Sequence, residues 1–408
     1  MEAQTTFFKS IAMVDMERFH SAILKWVLSD CNAFGLDTKK QLLNAMFKCT
    51  NASIDSIVSC ENEWQDMDLV VKTESADGSA DVWVLENKIK CEEHDDQLSR
   101  YCNQIFFSAG EENPYHIAPA NQARAHFAFL TLLERNEEHT YSDEPSVKWT
   151  PVKYEDITTA LRAALEHSNE NVDKQILEAY VTSTEELINK AKKAACTPEL
   201  IFRGITKDDN EKSLLDFIEK YKLRRLLQRY YFLSIKNDVQ KSLDGIIKDF
   251  QNDFPESVSG PLVSSGASSG EAEMSFPISK AIQNLQNAMM GIQLQGGTFK
   301  VDVSLDYWNV KNREQSSKML MDNRWLRERS GQKDTYFDEY VQRPDSGNEW
   351  KINLPKGKCP RMSISKKMAG DYNVGNIVKG FTECFSAAKE IIGISRQQIQ
   401  NSSMNIKP

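Results

Sequence analysis

Between residues 15 and 193 the spacing of apolar positions changes period several times, and each change marks a new element. In DMERFHSAILKWVLSD, 15–30, Phe19, Ile23, Trp26 and Val27 recur at helical spacing, with Asp15 placed to cap the start. A second helix is predicted over 37–49. The period then drops to two. Residues 54–59 and 67–73 read as strands, ESADGSAD as a turn, and VWVLENKIK, 82–90, as a third strand. EEHDDQLSRYCNQIFF, 92–107, returns to helical spacing with Leu98, Cys102, Ile105 and Phe106 on its apolar side. AHFAFLTLL, 125–133, is the next strand, and helices take most of 154–193. Helix, helix, three strands, helix, strand, helices is an α/β order, with a mixed sheet between helices.

The second half of the chain reads differently. Residues 212–250 are strongly helical, and PESVSGPLVSSGASSGEAEMS, 255–275, has the Ser/Gly composition of a linker. A separate C-terminal α+β module is predicted beyond it. Its helix covers 278–290, its strands lie near 298–308 and 349–354, a last helix spans 374–392, and SRQQIQNSSMNIKP frays. The predicted domains are therefore 1–195, a helical extension over 196–254, the linker, the module over 276–393 and a flexible tail over 394–408.

Composition narrows the chemistry. Of 408 residues, 40% are hydrophobic and 27% charged, as in a water-soluble globular chain. No apolar run is long enough to cross a bilayer, and MEAQTTFFKSIAMVDMERFH lacks the pattern of a signal peptide, so a cytoplasmic protein without a membrane partner is expected. The eight cysteines are scattered with no CxxC pair, and the six histidines form no HxH or HExxH cluster. Any metal would thus be held by oxygen. A net charge of -9 argues against an indiscriminate polyanion binder but leaves a local nucleic-acid site open.

The third strand carries the anomaly. Glu86 and Lys88 interrupt an otherwise apolar run, where charge is costly to bury. Asp68 and Glu86 each lie nine residues from Asp77, in the Asp77-Gly78 turn, so a hairpin centred there sets them nearly opposite one another. Lys88 shares that face and Asn87 points away. Two carboxylates and one ammonium then converge, a combination that Mg²⁺ or Mn²⁺ would stabilise while Lys88 helps to position an attacking water.

These residues resemble the PD-(D/E)XK nuclease superfamily, whose core is helix, three-stranded antiparallel meander, helix, strand. Asp68 and Glu86-Asn87-Lys88 fall on its motif positions. ENKIKCEEHDDQLSRY looks like the branch in which Glu-Asn-Lys is followed by Gln-x-x-x-Tyr, here Gln97 and Tyr101. Glu17 in ERFHSAIL, followed by His20 and Ser21, matches an acid on the first helix. Glu63 looks like the acid ending the first strand, and Tyr154 like an aromatic after the fourth. The resemblance reaches about residue 190. It implies a Mg²⁺- or Mn²⁺-dependent nuclease cutting phosphodiester bonds, in DNA, with roles in restriction, repair or phage defence. Asp68, Glu86, Asn87 (through its carbonyl) and Glu63 would be metal ligands. Lys88, Gln97 and Glu17 would serve catalysis, and Tyr101 would contact substrate. Two departures stand out: Met67 replaces the proline of the motif, and Asp66 competes with Asp68 for the acidic role.

Blander readings compete with these. A lone Glu-x-Lys usually marks a solvated edge strand. His20 fits a satisfied structural histidine better than a base, and His94 is undistinguished. Lys222, Arg225 and Arg229 fall on one side of a predicted helix, and 351–367 holds six basic residues and no acid. Either stretch could follow a phosphate backbone, with Arg225 and Arg229 the named substrate contacts. The competing functional class is a catalytically inactive nuclease-fold module that binds nucleic acid or a protein. A third, remoter class is another metal-dependent hydrolase. The C-terminal module is the expected site of a homo-oligomer or protein partner.

Overall fold

The computed structural model describes residues 17–49, 53–89, 97–108, 113–133, 139–141, 147–253, 272–278, 288–305, 313–325, 335–343, 349–353 and 361–404. Contacts divide the chain into two compact units. Unit 1 is Met1–Thr197 with Thr206–Tyr230, and unit 2 is Pro198–Ile205 with Tyr231–Pro408.

Unit 1 opens with α1 (Glu17–Leu28) and α2 (Leu36–Phe47), followed by β1 (Ser56–Glu61), β2 (Leu69–Glu74) and β3 (Ala80–Lys88). Then come α3 (Gln97–Phe107), β4 (Ala125–Thr131), β5 (His139–Tyr141), β6 (Val147–Lys153), α4 (Tyr154–Glu166) and α5 (Val172–Ala195). The six strands form one sheet in the order β1-β2-β3-β4-β6-β5. β1, β2 and β3 are an antiparallel meander, β3-β4 and β4-β6 are parallel, and β5 returns antiparallel on β6. The expected α/β class and the nuclease-like core are therefore present. Tyr154 follows the sixth strand rather than the fourth, because two further strands were not distinguished in the sequence.

β3 lies inside the sheet with a layer of helix on each face. Its even positions Val82 and Val84 pack with Val70, Phe127 and Phe129 against Leu98, Tyr101, Ile105 and Phe106 of α3. The odd position Trp83 turns the other way, its ring 5.1 Å from Phe47 of α2. Burial on both faces explains why the strand reads as a nearly unbroken apolar run. The hairpin register pairs Leu69 with Leu85 and Glu74 with Ala80, and Gly78 takes the positive φ of 77° that the turn requires.

Beyond α5, α6 (Pro198–Arg203) belongs to unit 2, α7 (Asp209–Lys220) to unit 1, and α8 (Arg224–Asp253) supplies residues to both. Lys222 adopts φ 53° between α7 and α8, so it does not share a helix face with Arg225 and Arg229 as expected.

Unit 2 contains β7 (Ala272–Pro277), β8 (Ala288–Gln295), β9 (Thr298–Leu305), α9 (Arg313–Asp322), α10 (Tyr336–Val341), β10 (Lys351–Asn353), β11 (Arg361–Lys367) and α11 (Val374–Met404). Its antiparallel sheet runs β10-β11-β9-β8-β7. Here several expectations change. Residues 288–290, read as the end of a helix, begin strand β8. The tail expected to fray continues α11 to Met404. β7 starts within the stretch read as a linker, whose residues 255–271 lie outside those described, as do His94, 279–287 and 354–360.

The core of unit 2 joins Met290, Ile292, Val301, Val303 and Ile364 of the sheet to Ile377, Phe381, Cys384, Phe385 and Ala388 of α11. The helical residues recur at three- and four-residue steps, as an amphipathic helix demands. Gly380 lets α11 approach the sheet, since a Cβ there would run into the Phe299 ring. Gly380→Ala should cost about 1–3 kcal/mol through overpacking. Urea unfolding checks this, and an unchanged midpoint would show that the helix can stand off.

Candidate active site

The hairpin brings the charged residues together at the carboxyl end of β3. Extending the register from the Leu69-Leu85 pair sets Asp68 across from Glu86, and Asp68 Oδ2 accepts a hydrogen bond from the Asn87 amide at 2.7 Å. Lys88 Nζ lies 2.5 Å from Glu86 Oε1, and the two side chains are 13% and 0% exposed. Asp66, the competing acid, is exposed in a turn with φ 69°, away from this pairing.

Asn87 points to the other face, as strand alternation requires. Its amide nitrogen donates to the Glu17 carbonyl at 2.9 Å and to Ser21 Oγ at 3.2 Å, while its oxygen accepts from the Tyr154 hydroxyl at 2.6 Å. Glu17 reaches the next residue along, its Oε1 accepting from the Ile89 amide at 2.8 Å. The first turn of α1 is thereby fixed to the end of the strand. His20 is buried behind this joint, Nδ1 2.8 Å from the Tyr180 hydroxyl.

Gln97 and Tyr101 are neighbours on α3 and bond to each other. Gln97 Nε2 donates to the Tyr101 hydroxyl at 2.5 Å, and that hydroxyl donates to the Asp66 carbonyl at 2.5 Å. Tyr101 is 1% exposed, so the expected phosphate contact gives way to an anchor for the loop before Asp68. Glu63, expected among the metal ligands, pairs with Arg18, Nε to Oε1 at 2.5 Å. Arg225 is exposed and Arg229 half-buried on α8, which contributes no residue to the cleft lined by Arg18, Ser21, Asn62, Glu63 and Asp68. Arg18 and Asn62 had no signal in the sequence, because only the fold brings 17–21 beside 62–68. Of the basic stretch 351–367, Lys366 is engaged by Glu349 at 2.6 Å and Glu383 at 2.9 Å.

The electrostatics of the carboxyl pair are severe. Burial, then the charge of Asp68, pushes Glu86 up to about 8, although Lys88 acts in the opposite sense. Burial also raises Asp68, against the Asn87 amide and Lys88. Burial works against the Lys88 ammonium, yet Glu86 and Asp68 hold its pKa above the ordinary value. Neither Glu86 oxygen has a partner in hydrogen-bond geometry, despite the close ion pair. A buried carboxylate beside a second carboxylate, with one ammonium between the two acids, suits a hard cation, the kind of ion that binds through one or two such groups. Among the described residues no cluster of three or more His, Cys, Asp and Glu surrounds it.

Comparison with known proteins agrees with this geometry. Residues 6–182 match the family model of the PD-(D/E)XK nuclease superfamily. Comparisons with curated proteins and with solved structures found no match. Among the described residues no helix is long and apolar enough to cross a membrane.

Two measurements probe the site as a folded object. Asn87→Ala strands the Tyr154 hydroxyl and should cost about 2–4 kcal/mol, read by thermal or urea unfolding. The second concerns pH. Glu86 keeps its proton to about pH 8 when folded but would release it near the ordinary glutamate value of 4.5 when unfolded. Its contribution is complete below the lower value and is lost as pH rises through the higher, so cation-free protein should weaken over that window. The slope should reach at most about 1.4 kcal/mol per pH unit for one group. Thermal unfolding in chelator measures it, and Glu86→Gln should flatten the profile.

Proposed function

We propose that unit 1 hydrolyses phosphodiester bonds in DNA with Mg²⁺ or Mn²⁺ as cofactor. The observation that supports this most is the Glu86 carboxyl, buried opposite Asp68 with neither oxygen hydrogen-bonded. Asp68 and Glu86 would hold the ion, with the Asn87 carbonyl as a third oxygen. This is a hard donor set, suited to Mg²⁺ or Mn²⁺ rather than to a thiophilic metal. Such an ion, when bound, supplies Lewis-acid stabilisation of the charge that develops on the phosphoryl group.

The protein's own groups do the rest. Lys88, held against Glu86, orients the attacking water and offsets charge on the phosphate. Glu17 fixes the end of β3 through the Ile89 amide, and Gln97 supports the loop leading to Asp68 through Tyr101. Both act as positioning residues. The choice of DNA and of a restriction, repair or phage-defence setting follows from the family resemblance, as does a sensing or partner-binding role for unit 2.

The test is incubation of the full chain with plasmid, linear duplex, single-stranded DNA and RNA, with and without Mg²⁺ or Mn²⁺. DNA should be cut only with the cation present. Lys88→Ala, shown to be folded by its melting curve, should lose roughly 10²- to 10⁴-fold in rate. A folded variant cutting as fast as wild type overturns the assignment. Binding without cleavage under every condition would identify a binding module instead.

A further inference from the structure

The cleft beside Asp68 encloses about 250 Å³ and is lined by Arg18, Ser21, Asn62 and Glu63. Arg18 is the cation of that set. Its side chain is 78% exposed and its ion pair uses Nε, which meets Glu63 Oε1 at 2.5 Å. Lys88, the other cation nearby, is 13% exposed and committed to Glu86. Among the described residues that line this cleft, Arg18 is the exposed cation that a polyanion approaching Asp68 would meet.

We propose that Arg18 is a substrate-binding residue that grips a backbone phosphate of the nucleic acid, and that Glu63 holds the guanidinium until the phosphate displaces it. The proposal rests on the nuclease reading and names the residue that brings the polyanion to the acidic site. A guanidinium presents a planar fork of donors matched to two phosphate oxygens, so the exchange of one anion for another needs no new geometry.

Both partners are held in place by the fold. Glu17 binds the Ile89 amide through its side chain at 2.8 Å and the Asn87 side chain through its carbonyl at 2.9 Å. Arg18, the next residue, is thereby fixed relative to the end of β3. On the other wall, Glu63, Gln65 and Asp66 adopt φ of 55°, 51° and 69°, the left-handed region that side chains other than glycine avoid. Such a run persists when its surroundings over-determine it. Tyr101 binds the Asp66 carbonyl at 2.5 Å, and the Met67 amide donates to the Trp64 carbonyl at 3.0 Å. The outcome is a carboxylate presented to Arg18.

The experiment uses the full chain and a fluorescent DNA duplex, with affinity measured in chelator at several salt concentrations. Arg18→Ala should weaken binding about tenfold, equally for unrelated sequences, and lower the slope of log affinity against log salt by about one unit. Arg18→Lys should restore the slope but only part of the affinity. Glu63→Gln should tighten binding and leave Mg²⁺ affinity, measured by calorimetry, at the wild-type value. Wild-type affinity and slope in Arg18→Ala overturn the proposal, as does loss of Mg²⁺ affinity in Glu63→Gln, which would make Glu63 a metal ligand. Cleavage assays separate this from the parent reading. A chain that cuts normally without Arg18 sinks the phosphate contact alone. One that binds through Arg18 but never cuts sinks the nuclease alone, and one that binds no nucleic acid ends both.

Discussion

A carboxylate withdrawn from water stays charged only if positive charge is brought to it. Glu86, fully buried at the end of β3, is in that position. Lys88 supplies one positive charge on the same face of the strand. Asp68 stands opposite and adds a second negative charge, which together with burial favours the protonated form of Glu86.

Alternation along β3 separates two settings in three consecutive residues. Glu86 and Lys88 face the side of α3 and form the buried ion pair, while Asn87 faces α1 and α4 and ties them to the strand. The asparagine is useful because it offers donors and an acceptor at once. It binds a carbonyl and a hydroxyl of α1, and the hydroxyl that opens α4. An aspartate could not donate there, and an apolar residue would leave those groups without partners.

Much of this was legible in the sequence. The equal distance of Asp68 and Glu86 from Asp77 anticipates their pairing because the loop 76–78, closed by the Ser75 amide on the Ser79 carbonyl, is centred on Asp77 and side chains alternate with period two. The apolar stripe of α3 was clear for the same kind of reason. Other features were hidden. Tyr101 sits on the expected face, but whether its hydroxyl met a phosphate or the Asp66 carbonyl depended on a turn of left-handed residues with no glycine to announce it. Arg18 looked like ordinary surface charge. In unit 2, AIQNLQNAMMGIQL has apolar residues at helical spacing, so only the pairing of β8 between β7 and β9 decides for strand.

The division of the chain has an evolutionary and practical corollary. Unit 2 takes Pro198–Ile205 before unit 1 receives its last residues, Thr206–Tyr230. The two are interleaved along the polypeptide, so no single cut yields both whole. Recombination that moved the nuclease-type region alone would either forfeit α7 or carry a foreign segment with it, and inheritance of the pair as one piece is the simpler route.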